Sequence, residues 1–196
     1  MTRSATRTRT TKETSIEISL DLDGSGATKV DTGLPFYDHM LDQLGRHSGF
    51  DLSVAARGDL HIDSHHTVED TAILLGETFR EALGDKAGVR RFASGRYPLD
   101  EALVEVVVDL SGRPYVVWEV ELPAAIPLGS PPFDPSLAEH AVASFATAAC
   151  ITLHVELVRG RNVHHIIEAC FKGLARTLRD AVRVEGAGVP STKGVL

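Results

Sequence analysis

His65-His66-Thr67-Val68-Glu69 occurs again in this chain as His164-His165-Ile166-Ile167-Glu168. Each copy opens a stretch with apolar residues at helical spacing. Val68, Ala72, Leu75 and Phe79 follow the first; Ile167, Phe171, Leu174 and Leu178 follow the second. On a helix, positions i and i+4 share a face. His65 with Glu69, and His164 with Glu168, therefore each set an imidazole beside a carboxylate. His66 and His165 point about a quarter-turn away, at the helix start. Nitrogen and oxygen donors held in fixed pairs are what a divalent metal needs.

Working outward, each doublet trails a lone histidine on an earlier helical stretch. Asp38-His39 matches Glu139-His140, and 26 positions separate His39 from His65 against 24 from His140 to His164. Asp21-Leu22-Asp23-Gly24 likewise matches Asp109-Leu110-Ser111-Gly112. In the first set, Ile16, Ile18, Leu20 and Leu22 alternate as a half-buried strand, and Asp23-Gly24-Ser25-Gly26 turns it. Ala27 to Asp31 reads as the returning strand. Phe36, Met40, Leu41 and Leu44 then mark a helix with His39, Gln43 and His47 along another face. Phe50 to Ala56 and Asp59 to Ile62 are short strand candidates, and Gly84 stops the helix that carries the first doublet.

The second set begins near Ala102. Ala102 to Leu110 reads as a buried strand and Pro114 to Leu122 as its return. Residues 123–136 hold five prolines and form an irregular connector. Ala138 to Ala149 is helical, and Ile151, Leu153, Val155 and Leu157 alternate. One α+β unit is thus duplicated with a pseudo-twofold internal repeat. The expected layout is a flexible tail over 1–12, half-repeats over 13–94 and 95–188 in one compact domain, and a C-terminal tail over 189–196.

A pseudo-twofold brings equivalent residues together in pairs. One expected cluster gathers His65, Glu69, His164 and Glu168; the other gathers His39, His66, His140 and His165. From ligand types alone, Zn, Fe, Mn or Ni could bind, and the carboxylates push toward a harder ion than structural Zn. The pattern is not H-E-x-x-H, which disfavours zincin chemistry. His61 reads as a strand-end polar residue and His154 as structural. Lys172 follows Glu168 by four positions and lines the same face. Gly88-Val89-Arg90-Arg91-Phe92, Arg113 in Ser111-Gly112-Arg113-Pro114, and Ser191-Thr192-Lys193-Gly194 offer donors that could together clamp a phosphate, while any one of them alone reads as a solvated surface group.

Composition sets the outer bounds. Hydrophobic residues are 43% and charged residues 24%, ordinary for a globular protein. The net charge of −7 argues against a general nucleic-acid surface. No apolar run approaches a membrane span. Residues 1–12 lack the apolar centre of a secretory signal. Cys150 and Cys170 read as reduced core residues without a disulfide framework.

Several long motifs resemble the imidazoleglycerol-phosphate dehydratase family. They are Thr32-Gly33-Leu34-Pro35-Phe36-Tyr37-Asp38-His39-Met40-Leu41, His65-His66-Thr67-Val68-Glu69-Asp70, Ser111-Gly112-Arg113-Pro114, His164-His165-Ile166-Ile167-Glu168-Ala169-Cys170-Phe171-Lys172 and Ser191-Thr192-Lys193-Gly194. The resemblance runs from about Glu13 to the C-terminus. Ala141 and Val142 depart from it, standing where bulky aromatics are often found.

The resemblance implies a duplicated ribosomal-protein-S5-domain-2-like fold with two four-stranded sheets packed with helices. It implies a monofunctional cytoplasmic lyase of histidine biosynthesis, acting on a small phosphorylated imidazole. Two Mn²⁺ per active site would be held by His39, His65, His66, Glu69, His140, His164, His165 and Glu168. The implied route passes through a metal-bound imidazolate and a diazafulvene. Glu13, Glu69 and Glu168 would be the catalytic carboxylates. Glu13, Gln43, His47, Arg91, Arg113, Lys172, Ser191 and Lys193 would contact substrate. Homo-oligomeric trimers would build the sites between subunits and assemble into a 24-subunit shell. A metal-dependent hydrolase and a metal-cemented structural shell are the alternatives.

Overall fold

The computed structural model describes residues 3–124, 126–194 and 196. The first half runs β1 (Ser4–Thr10), β2 (Thr14–Asp21), β3 (Thr28–Asp31), α1 (Pro35–Ser48), β4 (Asp51–Gly58) and α2 (His65–Leu83). The second runs β5 (Phe92–Leu99), β6 (Ala102–Asp109), β7 (Tyr115–Glu119), α3 (Leu137–Ala148), β8 (Thr152–Arg159) and α4 (Val163–Ala181). The sheet orders are β1-β2-β4-β3 and β5-β6-β8-β7, so the duplication read from the motifs is a duplication of topology. Period-two alternation builds the central strands: Ile16, Ile18 and Leu20 of β2, and Val104, Val106 and Val108 of β6, are all buried.

Four expectations need correction. Residues 4–10 are not a tail; they form β1, antiparallel to β2. Its inward residues are Ala5, Arg7 and Arg9, whose aliphatic stems cover the core edge while their heads reach Glu77, Glu81 and Asp70. A hydropathy pattern cannot register that arrangement. The second half begins at β5, inside the expected boundary of 94/95. Gly95 and Pro98 disguise this strand, and an edge position tolerates both.

The segments after the first turns, β3 and β7, do not return as hairpins. Each pairs in parallel with β4 or β8, through a crossover containing α1 or α3. Finally, residues 59–62 form turns, because β4 ends at Gly58.

The helices pack across the two halves, α1 on α4 and α2 on α3. Both pairs run in the same direction. At one end His39 meets His164, and at the other Gly49 faces Arg179. Likewise His65 meets His140 at one end, and Arg80 Nη1 donates to Cys150 Sγ at the other. Gly76 allows the α2–α3 approach, since a Cβ there would lie 2.4 Å from the Phe145 carbonyl oxygen. Both cysteines are free thiols; burial pushes Cys170 up to about 12. Among the described residues no helix is long and apolar enough to cross a membrane.

Candidate metal centre

Local caps fix where the candidate ligands stand. Asp38 Oδ1 accepts from Thr32 N at 2.8 Å and Thr32 Oγ1 at 2.6 Å, which pins the start of α1 around Pro35. Asp63 Oδ1 accepts from His65 N at 2.8 Å, and Asn162 Oδ1 from His164 N at 3.0 Å. The two equivalent helix starts are therefore tied in the same way.

Two triads result. In the first, His39 Nε2 and His164 Nε2 lie 3.1 and 3.0 Å from Glu168 Oε2. In the second, His65 and His140 stack with ring centroids 4.6 Å apart, and His140 Nε2 lies 3.2 Å from Glu69 Oε1. In each triad one ligand atom per residue falls within 4.8 Å of the others.

The expected grouping of the ligands is thereby corrected. The doublets do not meet each other. Because α1 packs on α4 and α2 on α3, each doublet meets the lone histidine of the opposite half. The pseudo-twofold relates the two triads and passes through neither. His66 and His165 join neither triad within the chain. His66 Nδ1 lies 3.0 Å from Asp59 Oδ2 and 3.9 Å from Glu13 Oε2; His165 Nδ1 lies 2.7 Å from Glu101 Oε2. Both imidazoles are shifted up, first by these carboxylate hydrogen bonds. Glu101 is held at about 2, first by His165 and then by the Asn162 N–H. Neither Nε2 makes a hydrogen bond among the described residues, and His165 Nε2 lies 3.9 Å from Asp100 Oδ2, so each ring is oriented chiefly through Nδ1. Histidines that ligate a metal are commonly held this way.

The donor set fits a divalent ion. His140 Nε2 is buried and, despite its closeness to Glu69, lacks hydrogen-bond geometry to any partner among the described residues. A buried imidazole nitrogen without a partner is costly unless its lone pair is used. Glu168 is anionic: burial raises its pKa, but Lys172, His39 and His164 outweigh that and hold it at about 2. Lys172 Nζ lies 2.5 Å from Glu168 Oε1, on the same helix face as the i,i+4 spacing indicated.

Beyond this triad a polar ladder climbs α1. Gln43 Nε2 is 3.4 Å from His39 Nδ1, and His47 Nε2 is 3.1 Å from Gln43 Oε1. Burial, then Lys172 and Arg176, shift His47 down.

The other expected phosphate donors lie elsewhere in the chain. Arg91 makes a bidentate pair with Asp109 at 2.7 and 3.1 Å and donates to Pro190 O at 2.8 Å. Its backbone N–H donates to Ala181 O at the C-terminal end of α4, roughly 20 Å along the helix from Glu168 at 1.5 Å per residue. Arg113 folds onto Ser111, and Lys193 N donates to Ser191 Oγ in the exposed tail. One chain therefore joins Lys172 to a triad but not Arg91, Arg113, Ser191 or Lys193. His61 lies in an exposed turn, and His154 faces outward on β8.

Sequence reasoning missed Asp59 and Glu101. The duplication offered a signal for one of them, since Glu101 immediately precedes β6 as Glu13 precedes β2.

A duplicated α+β scaffold carries two symmetry-related His₂Glu triads, each of which could hold a metal ion. The family model for imidazoleglycerol-phosphate dehydratase matches residues 32–178. A relative of that name from Acidothermus cellulolyticus is 59% identical, covering 99% of this chain and 93% of the relative. One from Parafrankia sp. is 57% identical over the whole of both chains. The crystal structure of IGPD from Pyrococcus furiosus in complex with (S)-C348 superimposes with a TM-score of 0.83 at 39% identity, covering 97% of this chain and all of that one. The Staphylococcus aureus enzyme gives 0.82 at 35%, covering 92% of this chain and 99% of that one. The chain belongs to the imidazoleglycerol-phosphate dehydratase family.

Proposed function

We propose that this protein dehydrates imidazoleglycerol phosphate to imidazoleacetol phosphate in histidine biosynthesis, with two Mn²⁺ per active site. The observation that carries the reading is the pair of His₂Glu triads. Glu168 and Glu69 would supply carboxylate donors, and the imidazoles the remaining ones. When bound, the ions supply Lewis acidity toward the substrate's imidazole ring and a template that fixes it. The substrate has no carbonyl to acidify its C–H bonds, so ring activation is what lets hydroxide leave the adjacent carbon. Loss of a proton from the next carbon then gives an enol, which tautomerises to the ketone.

The protein's own groups bind, orient and move protons. Glu13 is half-exposed and makes no side-chain hydrogen bond among the described residues, which suits an acid/base that must reach substrate. Gln43 and His47 continue the polar surface away from His39 toward the substrate's chain. Lys172, Arg91, Arg113, Ser191 and Lys193 hold the phosphate, which anchors the ring against the triads.

The separation of Arg91 from Glu168 within one chain supports sites shared between copies. In this reading His66 and His165 ligate through their unused Nε2 atoms at neighbouring triads, in trimers that build a 24-subunit cytoplasmic shell. The test is turnover of imidazoleglycerol phosphate by purified protein after chelation and again after Mn²⁺ is restored. Activity should vanish and return. A folded, Mn²⁺-loaded protein without turnover would remove the substrate assignment.

A further inference from the structure

We infer that Asp59 is a positioning residue whose hydrogen bond to His66 leaves the Glu13 carboxylate free to work on substrate. This rests on the metal-dependent dehydratase reading above and assigns a residue which that reading leaves without a role.

The two halves supply the comparison. Glu13 and Glu101 occupy equivalent places, each one residue before the central strand of its sheet. In the second half, Glu101 is fully engaged. It accepts from His165 Nδ1 at 2.7 Å and from the backbone N–H groups of Asn162 and Arg161 at 2.8 and 3.4 Å. A carboxylate tied by three bonds is fixed as a support for His165.

In the first half, the same place holds Glu13, but Asp59 has taken the support role. His66 Nδ1 lies 3.0 Å from Asp59 and 3.9 Å from Glu13, just beyond hydrogen-bond reach. Asp59 comes from a difference in loop length between the halves. Eight positions separate Gly58 from His66, whereas six separate Arg159 from His165. The longer loop opens with Asp59 and brings a second carboxylate to the imidazole.

Asp59 is placed at a cost. Its side chain is 11% exposed, against 52% for Glu13, and its Oδ1 is buried with no hydrogen-bond partner among the described residues. A buried carboxylate oxygen without a partner is destabilising, and fold stability alone gives no reason to keep it. Support of His66 alone does not explain it either, because Glu13 needs to move by less than about 1 Å to provide that support. Keeping Glu13 out of that contact does explain it.

The test is a double-mutant cycle on the intact assembled protein, read both as Mn²⁺ affinity and as steady-state kinetics. In Asp59→Ala, Glu13 turns onto His66. Mn²⁺ affinity then stays within about threefold of wild type, while kcat falls about 10–100-fold with little change in KM. Glu13→Ala alone also retains Mn²⁺. The double variant has no side-chain acceptor left at His66, so its Mn²⁺ affinity drops about 10–100-fold. Its kcat, however, is no lower than that of Glu13→Ala. Asp59→Asn, whose carbonyl still accepts from Nδ1, recovers most of the lost kcat. Asp59→Ser repeats the comparison if the alanine variant folds poorly.

The inference is overturned if Asp59→Ala alone loses Mn²⁺ as fully as the double variant, or if its kcat is unchanged. The metal-affinity arm needs no substrate. A wild type without turnover would therefore remove the dehydratase reading, while redundancy between Glu13 and Asp59 at His66 is still decided.

Discussion

The two triads are built from equivalent positions and differ in their surroundings. Glu168 is 10% exposed and bonded to Lys172; Glu69 is 37% exposed, and the position four residues on is Ile73. The first triad thus has a carboxylate already neutralised from one side, in a drier setting. The second carboxylate is more open to solvent. Two copies of one ligand geometry therefore sit in unequal electrostatic surroundings. Among the described residues only Glu168, of the two, is paired with a lysine.

Replacing the two carboxylates separates what is shared from what is not. Glu168→Gln and Glu69→Gln should each lower kcat by about three orders of magnitude, the several kcal/mol that a catalytic metal supplies. In the chelated protein the symmetry should break. Glu168→Gln leaves Lys172 without its partner and should cost about 1–2 kcal/mol, reduced from the fully buried case because Lys172 is 22% exposed. Glu69→Gln should be close to neutral in the same denaturation measurement.

A second contrast uses two arginines at equivalent positions before β1 and β5. Arg3 pairs with Asp23 and donates to Val182 O, while Arg91 pairs with Asp109 and donates to Pro190 O. If Arg91 serves the phosphate of a neighbouring copy, Arg91→Ala should lower kcat/KM about 100-fold, mostly through KM. Arg3→Ala should leave kinetics unchanged and cost about 1 kcal/mol or less. Equal kinetic effects would mean that the halves share a structural role here.

A further contrast lies in pH. Glu168 is held at about 2 in the folded chain against an ordinary 4.5. A depressed carboxylate contributes stability above its unfolded pKa and loses it as pH falls through the folded value. Metal-free protein should therefore lose this contribution between about pH 4.5 and pH 2. Lys172→Met should shrink that acid-side loss, as measured by denaturation at a series of pH values.

How much was legible beforehand follows from the same comparison. The doublets, the lone histidines and the Asp-Leu-x-Gly turns recur because the duplicated helices and central strands retain their apolar periodicity. All six triad residues were visible for that reason. Their grouping was not, because whether a twofold pairs α2 with α4 or with α3 depends on packing that no local pattern encodes. The edge strands escaped too: β1 is arginine and threonine over a shared edge, and β5 contains glycine and proline. The parallel pairing of β3 and β7 was hidden by turn residues that suit a hairpin equally well. The 26-against-24 spacing reads as a similarity, yet the two extra residues are the informative part, since they accompany Asp59.

Anomalous diffraction at the manganese edge from crystals of Mn²⁺-loaded protein would test the central claim most directly. Two peaks per chain are expected, one among His39, His164 and Glu168 and the other among His65, Glu69 and His140. Each should also be met by His66 or His165 of a neighbouring copy. A single peak shared by His65, Glu69, His164 and Glu168, or none at either triad, would contradict it.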